Sequence, residues 1–207
     1  MNKTIKIILI ILVFIVLSII LHFNPVENFR DKLSLLDSLY QGTVLTITSK
    51  RGNLDITIEG EDYGRTPTSI ENLDPGQYLI ELEKDTESED LYEKETFLVN
   101  LYPNTESIIS LEIAPRGFKS GHILYYTSST SNLEKEGELS INTNVNESQI
   151  YIDEQSVRGK THHLESGEYE VDIRAKGYES IEFPIIIREG YNLNADVYLL
   201  PIPISFD

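Results

Sequence analysis

Five short stretches alternate apolar and polar residues between positions 43 and 113: "TVLTITS", "LDITIEG", "YLIELE", "TFLVNL" and "SIISLEI". The same order returns between positions 138 and 200 as "ELSIN", "SQIYID", "YEVDI", "FPIIIR" and "NADVYLL". A period of two puts every second side chain on one face, the pattern of a half-buried strand. The two halves overlay in phase. Leu45 and Ile47 fall on Leu139 and Ile141, and Ile56 and Ile58 on Ile150 and Ile152. Leu73, Gly76, Tyr78, Ile80 and Leu82 fall on Leu164, Gly167, Tyr169, Val171 and Ile173. From Tyr92 and Tyr178 onward there is no gap, and Phe97, Val99, Leu101, Leu111 and Pro115 fall on Phe183, Ile185, Ile187, Val197 and Pro201. Core-facing residues that stay in phase over five strands mark an internal duplication. The expected fold class is all-β: two tandem small antiparallel β-sandwich domains over residues 42–115 and 137–201, with a linker at 116–136 and a tail at 202–207.

Each copy repeats one corner. "IEGEDYGRTP" (58–67) and "IDEQSVRGKT" (152–161) both read as a strand end, an acidic turn and a glycine before threonine. Gly64 and Gly159 are expected at backbone angles that a Cβ disfavours, and Pro67 after Thr66 fixes the exit direction. Thr161 is the second-copy counterpart of Thr66. "DPGQY" and "ESGEY" predict the next tight turn, with Gly76 and Gly167 available for positive φ. Tyr78 and Tyr169 then return to the side of the core aliphatics, hydroxyl at the rim.

Before the first copy the chain is different in kind. From Ile7 to Leu21 every residue is apolar except Ser18. Ile5 to Phe23 is 19 residues, roughly 28 Å of helix and enough to span a hydrocarbon core. No pair of small residues follows the run, so an uncleaved transmembrane signal anchor over 1–23 is expected rather than a removed signal peptide. Lys3 and Lys6 favour a cytoplasmic N-terminus with the bulk of the chain extracytoplasmic. Asn24, Pro25 and Glu27 read as a helix start, and Phe29, Leu33, Leu36 and Tyr40 as one apolar stripe, predicting a juxtamembrane helix over 24–41.

Charge narrows the partners. The chain has 34 acidic and 17 basic residues and a formal charge of −17. Such a surface repels nucleic acid; it suits cations, basic proteins or neutral glycans, or simply keeps the domain soluble. With no cysteine, disulfides and thiolate chemistry are excluded.

At the corner residues the chain resembles the PEGA domain family. That pattern runs from a strand through Gly-x-Thr-Pro and Pro-Gly-x-Tyr to a later Gly-Tyr. The first copy matches at Glu59-Gly60, Gly64-Arg65-Thr66-Pro67 and Pro75-Gly76-Gln77-Tyr78. The second matches at Asp153, Gly159-Lys160-Thr161, Gly167-Glu168-Tyr169 and Gly177-Tyr178. The naming tetrad is absent from both copies: Arg51-Gly52-Asn53-Leu54 and Val145-Asn146-Glu147-Ser148 stand there. Leu91-Tyr92 replaces the later Gly-Tyr in the first copy, and His162 replaces proline in the second. The resemblance implies a small antiparallel β-sandwich of prokaryotic envelope and surface-layer proteins, and implies no ligand.

The sequence presents no catalytic, cofactor or metal-site constellation. Glu59, Asp62 and Asp153 sit in turns, unlike the paired carboxylates of a glycosidase cleft. His162 and His163 are adjacent on a strand and point to opposite faces. The loop "DTESED" could hold calcium weakly, but it lacks the spacing and closing glutamate of a calcium loop and reads as a solvated loop. Tyr63, Tyr125, Tyr126 and Tyr191 are the candidate surface contacts. The expectation is a non-enzymatic, membrane-anchored binding or scaffold protein of the cell envelope. Its expected partners are the lipid bilayer and an envelope glycan, surface-layer or membrane-protein partner, with no nucleic acid and no cofactor. The alternative is an accessory or sensor subunit of a membrane protein complex.

Overall fold

The computed structural model describes residues 42–86, 91–129 and 135–203. The expected membrane anchor, the juxtamembrane helix and the end of the tail lie outside these residues, as does most of the acidic loop. Among the described residues no helix is long and apolar enough to cross a membrane. All the long elements among the described residues are strands.

The first copy contributes β1 (Thr43–Thr48), β2 (Leu54–Ile58), β3 (Glu61–Arg65), β4 (Thr68–Leu73), β5 (Gly76–Lys84), β6 (Glu95–Leu101) and β7 (Glu106–Ile113). β8 (Lys119–Ser128) follows. The second copy repeats the series as β9 (Glu136–Thr143), β10 (Gln149–Ile152), β11 (Gln155–Val157), β12 (Thr161–Glu165), β13 (Gly167–Arg174), β14 (Ile181–Ile187) and β15 (Tyr191–Tyr198).

Each copy lays a four-stranded sheet, ordered β3-β2-β5-β6 or β11-β10-β13-β14, against strands of a larger one. The larger sheet is common to both copies and runs β12-β9-β15-β8-β7-β1-β4. Its order is symmetric about β8. The expectation of purely antiparallel sandwiches needs correction here. β1 pairs β7 in parallel, Val44 beside Glu106, and β9 pairs β15 in parallel, Leu193 beside Leu139. Parallel neighbours need a long crossover. The excursion through β2 to β6 supplies it in the first copy, and β10 to β14 in the second.

The sequence places the linker strand at His122–Thr127, able to pair with either sandwich. The strand is longer, and both of its edges are filled. β8 pairs β7 antiparallel on one side, with Ile109 opposite Ile123 and Ile108 opposite Leu124. It pairs β15 antiparallel on the other, with Ala195 opposite Leu124 and Leu193 opposite Tyr126. Gly121 (φ 134°) makes the β7 contact possible, because a Cβ there would sit 1.9 Å from the Ser110 carbonyl oxygen.

The two cores divide β8 between them. Ile123 is buried with Leu45, Ile47, Ile56, Ile80, Leu82 and Leu111 of the first copy, and Tyr125 packs against that cluster. Leu124 and Tyr126 are buried with Leu139, Ile141, Val171, Ile173 and Phe183 of the second. Successive strand residues point to opposite faces. The two small sheets therefore cover opposite faces of the common sheet. Each fully buried Leu, Ile or Phe contributes roughly 1.5–3 kcal/mol, so β8 stabilises both copies at once.

Candidate functional site

The corners are built by side chains that serve the backbone. Glu59 (φ 51°) and Gly60 (φ 84°) turn β2 into β3, and Asp153 (φ 46°) and Glu154 (φ 64°) turn β10 into β11. Two successive positive φ values in a two-residue loop match the twist of the flanking strands. The acid has a second task. Glu59 Oε1 accepts the Leu79 N–H at 2.6 Å, and Asp153 Oδ1 accepts the Glu170 N–H at 2.9 Å. Asp62 Oδ1 accepts the Gly64 N–H at 2.8 Å. All three carboxylates thus hold backbone amides, Glu59 and Asp153 from turns and Asp62, expected in a turn, from within β3.

Gly64 (φ 81°) and Gly159 (φ 96°) lie in the left-handed region. Thr66 is buried; its N–H donates to the Leu54 carbonyl and its Oγ1 accepts the Leu54 N–H, both at 3.0 Å. Pro67 follows and the chain crosses to the common sheet. Thr161, the counterpart by sequence, is exposed and opens β12 opposite Ser140. The Lys160 carbonyl beside it accepts the Ile141 N–H of β9 at 2.8 Å, extending the β9–β12 pairing.

Positive φ at Gly76 and Gly167 is not found. Both begin strands in ordinary conformation, and the left-handed residue near the first-copy turn is Asn72 (φ 60°). The tyrosines two positions on do the fastening. The Tyr78 hydroxyl donates to the Asp74 carbonyl at 2.9 Å and the Tyr169 hydroxyl to the Glu165 carbonyl at 3.0 Å. Burial, with Asp74 adding to it, raises the Tyr78 phenol above its ordinary value.

The four tyrosines expected on the surface are instead partly or fully packed. Tyr126 is buried; Tyr63 and Tyr125 lean on the first core and Tyr191 on the second. Tyr191 stands edge-on to both Tyr102 and Tyr126, at 5.6 and 5.9 Å between ring centres. These rings join the β6–β7 turn of one copy to the β14–β15 turn of the other. Arg188 adds to the joint: its Nη1 donates to the Asn104 carbonyl at 3.0 Å, and its guanidinium lies 5.2 Å from the Tyr126 ring centre.

A cleft of about 300 Å³ opens beside this joint. Its floor is Ile108 of β7, Leu124 and Tyr126 of β8, and Leu193 of β15. Its wall is β14 from Pro184 to Ile186, with Arg188 just beyond. Glu106 and Glu168 stand at its margin. Ile186 is 48% exposed, at an outward position of the alternating strand. The Tyr126 hydroxyl, its pKa raised by burial and partly offset by Arg188, donates to the Ile186 carbonyl at 2.5 Å. Adjacent apolar residues in "SIISLEI" are the sequence signal for this cleft, since Ile108 breaks the alternation set by Ile109.

The face of β8 toward the first copy is filled. Lys119 Nζ contacts the buried Glu95 carboxylate and lies 5.5 and 5.2 Å from the ring centres of Phe97 and Tyr198.

Comparison with known proteins accords with the duplication. The model of the PEGA domain matches residues 42–115 and again 136–202. No curated protein matches the chain. Among solved structures, "The Bacillus anthracis TIE protein" is similar at 15% identity and a TM-score of 0.26, over 78% of this chain and 34% of that one. The chain thus corresponds to about a third of that structure's length.

Proposed function

Because the chain belongs to the PEGA domain family and carries two copies of that domain, we propose that it is a membrane-anchored extracytoplasmic scaffold that holds a protein partner at the cell envelope. The observation that carries this reading is the apolar cleft, which sits where the two copies and β8 meet. A partner bound there contacts β7 of the first copy and β14 of the second together. The apolar run from Ile5 to Phe23 supports an anchor, and tethering raises the effective concentration of the cleft for neighbours in the membrane plane. The three carboxylates support a role without catalysis, because Glu59, Asp62 and Asp153 are engaged by backbone amides rather than paired across a cleft.

Sedimentation with purified envelope tests the proposal. Residues 42–207 should pellet with the envelope saturably and lose that behaviour after the envelope is stripped of protein. Retention on protein-free wall glycan, or no pelleting at all, would refute a protein-holding role. External protease on intact cells should remove the acidic bulk of the chain. Protection until the membrane is opened would refute the orientation.

A further inference from the structure

We propose that the cleft receives the apolar face of a partner protein's helix, flanked by lysine or arginine. This deepens the scaffold reading above and rests on it. The first support is a break in the internal symmetry. Ile108, Glu168 and Ile186 have Asn194, Gln77 and Asn100 as their counterparts in the other copy. Those three are polar and engaged. Gln77 Nε2 donates to Asn100 Oδ1 at 3.4 Å, and Asn194 Nδ2 donates to Thr127 Oγ1 at 3.1 Å. Amide-bearing side chains thus stand at three places of one copy, while the other has at two of them a half-exposed Ile186 and an Ile108 partly buried against the second core.

The second support concerns the form of the occupant. β14 is the edge of its sheet, where an extended peptide adds most readily. Pro184 has no N–H to offer such a strand. The Ile186 carbonyl is already taken by the Tyr126 hydroxyl. Strand addition is blocked in the middle of the edge, which leaves docking by side chains into the groove, the mode of an amphipathic helix.

The third support is charge. Glu106 and Glu168 are exposed at the margin. The lining cation, Arg188, binds the Asn104 carbonyl and the Tyr126 ring, and Glu106 accepts the Thr46 hydroxyl at 2.7 Å; two carboxylates against one guanidinium leave a formal charge of −1. The cleft therefore presents net negative charge around an apolar floor, and a helix with basic flanks complements it.

The test uses the full chain in zwitterionic lipid nanodiscs, with empty nanodiscs as the baseline. The probes are two fluorescent helical peptides, each with a leucine face and flanked either by lysines or by glutamates. Fluorescence anisotropy should show the lysine peptide binding about tenfold tighter. Glu106→Gln with Glu168→Gln should shrink that preference to about threefold or less. Glu154→Gln with Glu182→Gln removes equal charge elsewhere and should leave it unchanged. Ile108→Asp should abolish binding of both peptides. Ile186→Asn installs the residue of the other copy at an exposed site where folding is not at risk, and should weaken binding about fivefold. Equal binding of the two peptides, or equal sensitivity to the two glutamate pairs, would overturn the proposal. Envelope sedimentation retained in that event would leave the scaffold role standing without a helical partner. Lost sedimentation with an intact peptide preference would do the reverse.

Discussion

Ile123 and Leu124 are neighbours on one strand, and each is buried in a different hydrophobic core. Opposite them on β7 stand Ile109 and Ile108, which divide in the same way. A linker between independent domains is normally exposed and crossed by few contacts. This one is a central strand of the sheet that both domains use, and residues 42–207 form one compact unit.

Unfolding should accordingly be a single event. Ile123→Ala and Leu124→Ala each create a cavity costing about 2–5 kcal/mol. Both should lower the same urea transition, followed by probes placed in either copy. Two separate transitions, each sensitive to only one substitution, would show that β8 does not couple the copies.

Gly121 sets how closely β7 and β8 approach. Gly121→Ala drives a methyl into the Ser110 carbonyl and should cost more than about 2 kcal/mol. Gly177 also has positive φ (82°), but open space surrounds its Cβ position, so Gly177→Ala should cost only about 1 kcal/mol. Equilibrium denaturation of the two variants side by side measures the difference.

The two threonines aligned by sequence should behave differently. Thr66→Val leaves the buried Leu54 N–H without its side-chain acceptor and should cost about 1–3 kcal/mol, with Thr66→Ser restoring most of it. Thr161→Val, at an exposed strand start, should fall within about 0.5 kcal/mol of the parent. Thermal melts of the three variants check this.

His122 should make stability fall in acid. Its ring stacks on Phe183 at 4.2 Å between ring centres, and burial, with Lys50 adding to it, lowers its pKa from 6.5 to about 4. The unfolded chain then binds a proton that the folded chain refuses. Stability is full above pH 6.5 and is lost as pH falls toward 4, at up to about 1.4 kcal/mol per pH unit. Carboxylates titrate in part of this range, so the measurement is the difference between parent and His122→Gln. That difference should change by about 1–3 kcal/mol between pH 7 and pH 4. A flat difference would show that His122 charges freely in the folded state.

How much of this was legible depended on how each residue meets solvent. Leu45, Ile47, Ile56 and Ile58 alternate with polar residues because one face of their strands is wet, and the duplication stands out for the same reason. "HILYYTS" carries no such alternation because both faces of β8 are covered, so it reads only as a short strand without a side. β3 and β4 are largely polar edge strands and look like turn. Glu59 and Asp153 read as solvated turn acids, because the amides they accept from lie 20 and 17 residues onward. The cleft requires β7, β8 and β14 side by side, a fact of topology that local pattern does not hold. Only the Ile108–Ile109 pair hinted at it.

The common sheet has a mechanical meaning. Two beads on a string can swivel about their connection, but here the connection is a plank nailed along both sides. A torque applied to the copy nearest the amino-terminal end is delivered to the far copy without a hinge to dissipate it, so the described body should tilt as a single beam.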